Sequence, residues 1–283
     1  MVEPEQLFVT EVCAQVADLW VVLEMEKMTA TPNVELSISV VSHGQIDLIE
    51  SLLQDIAQHC HGVPLEVILT LNLQEAIPFA TDIFTFPVRV VRNAAPLGFS
   101  ANHNQAFTFA TGQFYCVMNP DIRMNGEPFR ILQDCLKDTS IGVVAPLVLG
   151  ENGTMEDSAR HFPTPFKILC KALGGCKGSD YKVEGKVIFP DWVGGMFMLF
   201  RREVYAQLGG FDQRYFLYYE DVDLCARLRL LDYEVALCPG AQVVHYAHRS
   251  SHRNIQYLRR HLASMLRFFL SRPFLKICWQ RLV

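Results

Sequence analysis

LSISVVSHGQIDLIESLLQDIAQHCHGVPLEVILTL, residues Leu36 to Leu71, decides the architecture because its hydrophobic pattern changes twice. Leu36-Ser37-Ile38-Ser39-Val40-Val41 is rich in β-formers and ends in Ser42-His43-Gly44, so it reads as a strand followed by a turn. Ile49, Leu52, Leu53 and Ile56 then recur at helical spacing, which makes Ile46 to His59 a helix with one apolar face. Leu65 to Leu71 is a second strand. Strand, helix, strand in this order predicts parallel pairing through a right-handed crossover.

The same alternation continues downstream. Val88-Arg89-Val90-Val91 reads as a third strand, Gln105 to Ala110 as a helix, and Phe114 to Met118 as a fourth strand running into Asn119-Pro120-Asp121. The fold class is therefore α/β, a single mainly parallel mixed sheet flanked by helices. Ligands of such sheets bind beyond the carboxyl ends of the strands, the edge that holds Ser42, Asn72, Asn93 and Asp121. Upstream, Val9, Val12, Val16, Leu19, Trp20 and Leu23 mark a helix within residues 4–30, broken by Thr29 to Asn33 with Pro32. Three parts result: an N-terminal helical extension (1–33), a main domain (34–248) and a C-terminal segment (249–283). The N-terminal extension reads as an oligomerisation or docking element, consistent with a homo-oligomer.

A chain of 283 residues, 50% hydrophobic, can bury a large α/β core. No apolar run reaches the roughly 18 to 20 residues that span a bilayer. Glu3, Glu5 and Glu11 stand where a signal peptide carries lysine or arginine, so the expected location is cytoplasmic. The nine cysteines include no Cys-x-x-Cys pair, which points to reduced thiols rather than disulfides or a zinc site.

The net charge of −5 conceals an asymmetry, since Arg249 to Val283 holds eight Lys or Arg and no Asp or Glu. Leu258, Leu262, Met265, Leu266, Phe269 and Leu270 recur there at helical spacing. A basic amphipathic helix of this kind either meets an anionic membrane face or packs on the domain with its basic side in water. The acidity of the remainder argues against nucleic acid.

The chemistry concentrates in Gly209 to Val235, GGFDQRYFLYYEDVDLCARLRLLDYEV. Leu224, Leu228 and Leu231 mark a helix whose first turn carries Glu220, Asp221 and Asp223, where backbone N–H groups favour negative charge. Three acids at a helix start serve either as caps or as a working cluster. The aromatic run Tyr215 to Tyr219 favours the second use, because it desolvates a carboxylate and raises its pKa toward that of a base. Asp121, after a buried strand and stiffened by Pro120, suits a hard divalent cation, with His245 as a further candidate. Arg92 to Asn104 supplies Gly98 and three asparagines, Asn93, Asn102 and Asn104, able to satisfy a nucleotide or sugar. Trp192 with Gly194 and Gly195 offers an aromatic face and close backbone approach to a sugar. Residues 150–190, rich in Gly, Lys and polar turns, read as a flap over the acceptor, with Arg160 and Lys167 as diphosphate contacts.

Taken in order, Val40-Val41-Ser42-His43-Gly44, Asn93 through Leu97-Gly98-Phe99 to Asn104, Asn119-Pro120-Asp121, Asp191 to Met198, Gly210 to Leu224 and His245-Tyr246-Ala247-His248 resemble the family 2 glycosyltransferases. The series is most similar to bacterial rhamnosyltransferases of lipopolysaccharide O-antigen synthesis and runs from about Leu36 to Arg267. The resemblance implies a GT-A fold and an inverting transfer. On the donor side it implies Ser42, His43, Asn72, Asn93, Gly98, Asn104, Asn119 and Asp121, with Asp121 as the last acid of an Asp-x-Asp motif. Asp121 and His245 would hold Mg2+ or Mn2+ against the donor diphosphate. Asp221 would be the catalytic base, Glu220 would orient the acceptor or Asp221, and Trp192, Gly194, Gly195, Glu220 and Arg160 would bind the acceptor. Asp223 would cap the helix or pair with Arg227.

Two positions depart from the family pattern: Asn119 replaces the first acid of the metal motif, and Leu71-Asn72 stands where Asp-Asn is frequent. The expected reaction moves L-rhamnose from dTDP-rhamnose to a lipid-linked saccharide, peripherally at the cytoplasmic face of the inner membrane. Three alternatives remain: a UDP-hexose donor, sugar-nucleotide synthesis by nucleotidyl transfer, or a degenerate binding subunit. The second would need a cation in the loop after the first strand, and Ser42-His43-Gly44-Gln45 has none.

Overall fold

The computed structural model describes residues 34–172, 175, 178–246 and 255–280. The helix expected within residues 4–30, and the Ala247-His248 end of the last motif, lie outside these residues. The chain divides into Met1–Val34 and Glu35–Val283, and every element below belongs to the second unit.

In chain order the elements are β1 (Leu36–Ser42), α1 (Ile46–His59), β2 (Leu65–Leu71), β3 (Val88–Arg92), α2 (Phe99–Phe107), β4 (Phe114–Met118), β5 (Ile122–Arg123) and α3 (Phe129–Cys135). There follow β6 (Ile141–Gly150), β7 (Ala159–Arg160), α4 (Pro165–Ala172), β8 (Trp192–Val193), β9 (Phe197–Arg201) and α5 (Arg202–Leu208). The series closes with α6 (Glu220–Arg229), β10 (Glu234–His245), α7 (Ile255–Phe269) and α8 (Arg272–Gln280).

Eight strands form one sheet in the order β3-β2-β1-β4-β9-β6-β10-β5. The first four are mutually parallel, β9 runs antiparallel to both neighbours, β6 and β10 are parallel, and β5 closes the edge antiparallel. A separate pair, β7 and β8, is antiparallel. The direction of chain progression reverses between β1 and β4, so a crevice opens beyond their carboxyl ends. Register places Ser42 opposite Leu71 and Val40 opposite Met118, which brings the residues after β1, β2 and β4 to one edge.

Each face of β1 is buried for a different reason. Leu36, Ile38 and Val40 join Ile49, Leu52, Leu53 and Ile56 of α1 in one core cluster. On the other face, Ser37 donates to Glu66 at 2.7 Å and Ser39 shares a 2.8 Å hydrogen bond with His103 Nδ1. Burial lowers the His103 pKa to about 3, so the ring is neutral. Helix α2, predicted at Gln105 to Ala110, begins six residues earlier, at Phe99. Its buried face carries Ser100, Asn102 and His103, so hydropathy gives no helical stripe.

The C-terminal segment is two helices rather than one. Leu270 ends the first stretch, Ser271 Oγ accepts the Phe274 N–H at 3.3 Å, and Pro273 occupies the new first turn. Ser264, Phe268, Phe274 and Ile277 are buried, and the three apolar ones share a cluster with Phe162 and Tyr219. Among the described residues no helix is long and apolar enough to cross a membrane.

Candidate active site

The exit of β4 is clasped from both sides. Asn119 N–H donates to Met196 O and Tyr246 N–H donates to Asp121 O, each at 2.9 Å. Asp121 Oδ2 lies 3.3 Å from His245 Nε2, and His245 Nδ1 lies 2.9 Å from Glu156 Oε2. Burial alone lowers the His245 pKa, but Asp121 and Glu156 more than offset it and push it up to about 9. Asp121 Oδ1 is buried without a partner. A buried carboxylate oxygen left unpaired is one that a hard cation would satisfy, so Asp121 fits the implied metal, whereas His245, charged while it pairs with Asp121 and Glu156, would join it only on giving up its Nε2 proton. Among the described residues no group of three or more His, Cys, Asp or Glu converges as a ready-made metal cluster. Glu156 sits in an aperiodic stretch and had no sequence signal.

The second group of acids opens α6. Tyr218 and Tyr219 precede it with φ of 70° and 67°. For bulky residues this left-handed conformation costs about 1–3 kcal/mol each. The loop is held by contacts from α7: the His261 ring meets Tyr218 and Tyr219 at 5.3 and 5.4 Å, and Ser264 Oγ donates to Leu217 O at 2.9 Å. Asp221 Oδ2 accepts the Gly195 N–H at 3.0 Å and Oδ1 the Val222 N–H at 2.8 Å. Burial raises the Asp221 pKa, opposed by these N–H donors and by Arg160. Glu220 is buried, its Oε2 has no partner, and burial reinforced by Asp221 raises its pKa well above the ordinary range. Asp223 accepts from Arg227 Nε at 2.8 Å, and the same guanidinium donates to Leu208 O and Gly210 O. That pair ties down the α5–α6 connection.

A raised carboxyl pKa in the folded state means that the native protein binds its proton more tightly than the unfolded chain. For Glu220, stability therefore falls as pH rises from the unfolded pKa toward the higher folded one. Glu220→Gln is expected to gain stability over the parent at pH 8 and to lose that advantage near pH 4, read from denaturant midpoints across pH.

Asp221 and Glu220 face a cavity of about 320 Å³ that Arg160, Lys167, Trp192 and His261 also line. Trp192 sits 5.8 Å from the Arg160 guanidinium, which is anchored on Asp157 at 2.9 Å; Lys167 pairs with Asp180 at 2.5 Å. β7 and β8 thus bring the proposed flap cation and aromatic face to the acids. His261 was missed because it lies in a helix read only for its apolar stripe. Gly194 N–H donates to Ser158 O at 2.9 Å, fixing the segment that presents Gly195. The Asp121 side and the Asp221 side share a wall: Met196 O accepts the Asn119 N–H, while its neighbour Gly195 donates to Asp221.

The asparagines are engaged with the loops around them. Asn72 donates to His43 Nδ1 and Leu97 O, both at 2.9 Å, and accepts from Leu97 N–H and Asn93 Nδ2 at 2.8 and 2.9 Å. Asn93 also donates to Asn102 at 2.6 Å. Asn104 holds Tyr205 OH and both backbone groups of Phe211. These amides brace the loop after β3 and the α5–α6 connection, and Asn104 stands apart from the crevice residues. Ser42 Oγ accepts the Gln45 N–H at 3.1 Å, shaping the turn beneath exposed His43. Gly98 is required by proximity: a Cβ there would lie 2.6 Å from Phe216 O. Gly98→Ala is expected to lose about 1–3 kcal/mol by overpacking against backbone, measured by denaturant unfolding, and to slow turnover by displacing the 216–221 loop.

A second hollow of about 540 Å³ lies at the ends of β2 and β3, lined by Leu73, Gln74, Glu75, Ala76, Arg92 and Asn93. Glu75 Oε1 accepts the Gly44 N–H at 3.2 Å and Oε2 is buried without a partner. Glu75 thus stands four residues past Leu71 at the end of β2, where Leu71-Asn72 supplies no carboxylate.

Comparison with known proteins gives the family and the fold. The family model for glycosyltransferase like family 2 matches residues 32–265, and the chain belongs to that family. It is similar to rhamnosyltransferase WbbL of Escherichia coli K12, 26% identical over 245 residues covering 82% of this chain and 91% of that one. It is also similar to the N-acetylglucosaminyl-diphospho-decaprenol L-rhamnosyltransferase of Mycobacterium tuberculosis, 29% identical over 167 residues, 55% of this chain and 54% of that one. The structure of GalNAc-T7 with UDP, GalNAc and Mn2+ aligns at TM-score 0.62 and 15% identity over 84% of this chain and 48% of that chain. The mannosyltransferase PcManGT of Pyrobaculum calidifontis, solved with GDP-Man and Mn2+, aligns at 0.57 and 17% identity over 92% and 74%. The fold is GT-A, and the protein is a glycosyltransferase.

Proposed function

We propose that this protein is an inverting rhamnosyltransferase that moves L-rhamnose from dTDP-rhamnose to a saccharide carried on a lipid diphosphate, in cell-surface glycan synthesis at a membrane face. The observation that carries the reading is the Asp221 carboxylate, fixed by Gly195 N–H and facing a sugar-sized cavity with Trp192 and Arg160. Similarity to two rhamnosyltransferases supports the choice of sugar.

Asp221 accepts the proton of the acceptor hydroxyl as that oxygen attacks the anomeric carbon from the face opposite the leaving diphosphate. Its raised pKa makes it a stronger base than a surface aspartate, and the two N–H donors keep it aimed. Glu220, buried beside it on the same cavity wall, keeps Asp221 in register and takes part in titrating the pair. Trp192 stacks the acceptor sugar, and Arg160 and Lys167 meet anionic groups of its carrier. Asn119, Asp121 and the His43–Gly44 turn border the donor, and Glu75 accepts an N–H of the nucleobase where the family frequently has an aspartate. Asp121 and His245 would hold a divalent cation, which when bound neutralises charge on the departing nucleoside diphosphate.

Donor hydrolysis in the absence of acceptor distinguishes the readings. Turnover of dTDP-rhamnose with UDP-glucose and UDP-GlcNAc left intact is expected. Preference for a UDP-sugar would replace the donor while leaving the base assignment in place.

A further inference from the structure

The outer face of α7 is not built for water. Ile255, Leu258, Leu262 and Leu266 follow one another at helical intervals, and their exposure runs from 48% at Leu262 to 67% at Ile255. α8 adds Leu275 and Trp279, the latter 70% exposed. Arg259, Arg267, Arg272 and Lys276 are exposed on the same two helices, and no Asp or Glu occurs from Arg249 onward. Apolar surface on helices whose charged side chains are all cationic fits a bilayer carrying anionic head groups. A second copy of the chain fits less well, because a symmetric contact would set the two cationic borders against each other.

The inner face of α7 belongs to the acceptor cavity. His261 and Met265 line it beside Trp192 and Asp221. From the same face, Arg260 lies 4.3 Å over the Phe216 ring, Ser264 binds Leu217 O, and His261 abuts Tyr218 and Tyr219. Four consecutive residues are therefore gripped by one helix, and Glu220 and Asp221 come next. Across the cavity, α4 contributes Lys167 and Ile168 to the lining while its Phe166 is 76% exposed.

We propose that α7 is one wall with two working faces. Its leucine face seats in an anionic bilayer, while its His261–Ser264 face sets the 216–221 loop. The cavity therefore draws its acceptor from the head-group plane, and docking itself places the base. In that arrangement the lipid tail never leaves the membrane, and the carrier's diphosphate meets Arg160 and Lys167. Ser264 and His261 are positioning residues, acting on Asp221 through the loop. The second half depends on the assignment of Asp221 as the base.

The membrane and coupling halves are tested without donor or acceptor, and turnover is assayed separately. Full-length protein is floated with phosphatidylcholine vesicles, with and without phosphatidylglycerol, while amide hydrogen exchange is followed along the chain. Flotation is expected only with phosphatidylglycerol, and the double variant Leu258→Glu/Leu262→Glu is expected to lose it. On binding, exchange is expected to slow by about tenfold not only in α7 and α8 but also in residues 216–222. Ser264→Ala should still float while the slowing at 216–222 is lost. Absence of flotation, or a dimer that the glutamate pair dissolves, would overturn the membrane assignment. Slowing confined to α7 and α8, or slowing at 216–222 that persists in Ser264→Ala and His261→Ala alike, would overturn the coupling. Flotation with coupling intact but no turnover of any sugar nucleotide would count against the catalytic assignment alone.

Discussion

Asp221→Asn is expected to leave the fold and the donor affinity near those of the parent while reducing turnover by about 10²–10⁴-fold, the range attributed to a positioned general base. The amide matches the carboxylate in shape but cannot accept the acceptor's proton. One of the two N–H donors now satisfied by Asp221, from Gly195 or Val222, must face an NH₂ group, a loss of about 1 kcal/mol in stability. Calorimetry with dTDP-rhamnose, a denaturant midpoint and steady-state turnover separate the effects. Retained turnover would exclude Asp221 as the base, and a comparable loss of donor affinity would make it a donor contact. The parent should also show an acid limb in kcat/KM above the ordinary carboxylate range, because burial raises the pKa of both Asp221 and Glu220. Base chemistry needs the ionised form, so activity falls as pH falls through that raised value. Asp221→Asn should remove the limb together with the rate.

The parts of this site visible in the sequence are those that regular structure places. β1, α1 and β2 announce themselves by period, and β4 delivers Asp121 to the sheet edge because a buried five-residue strand leaves no other exit. Glu220 and Asp221 were legible as acids at a helix start after an aromatic run. Polar burial defeated the rest. α2 was displaced in the reading because Ser100, Asn102 and His103 form its inner face, held by hydrogen bonds rather than by apolar contact. Asn72, Asn93 and Asn104 look alike in sequence whether they bind a ligand or brace a loop, and only the structure shows the loop contacts that they make. Glu156 and Glu75 are single residues in stretches without a pattern, while His261 lies among the leucines of a strongly patterned helix that drew the reading away from it; topology brings all three to the site. The break at Ser271 was signalled by Pro273, but the leucine periodicity on either side concealed it.

Asp121→Ala is expected to abolish the cation dependence of donor binding while sparing the base. The argument begins with what the motif lacks. With Asn119 in the first position, Asp121 is the one carboxylate of the motif, and its Oδ1 is buried with no protein partner. One carboxylate and one imidazole bind a divalent cation weakly, so the donor diphosphate must supply the missing charge, and cation and donor bind cooperatively. Mn2+ alone should therefore shift the parent's Tm little, dTDP-rhamnose in EDTA little, and the two together substantially. In Asp121→Ala the joint shift should collapse toward the sum of the separate ones, and calorimetric donor affinity in Mn2+ should fall at least about tenfold, equivalent to about 1.4 kcal/mol. In EDTA the parent and the variant should bind donor alike. A variant that loses donor affinity equally with and without Mn2+ would mark Asp121 as a structural support for His245. Undiminished cooperativity would place the cation elsewhere and leave the buried oxygen unexplained.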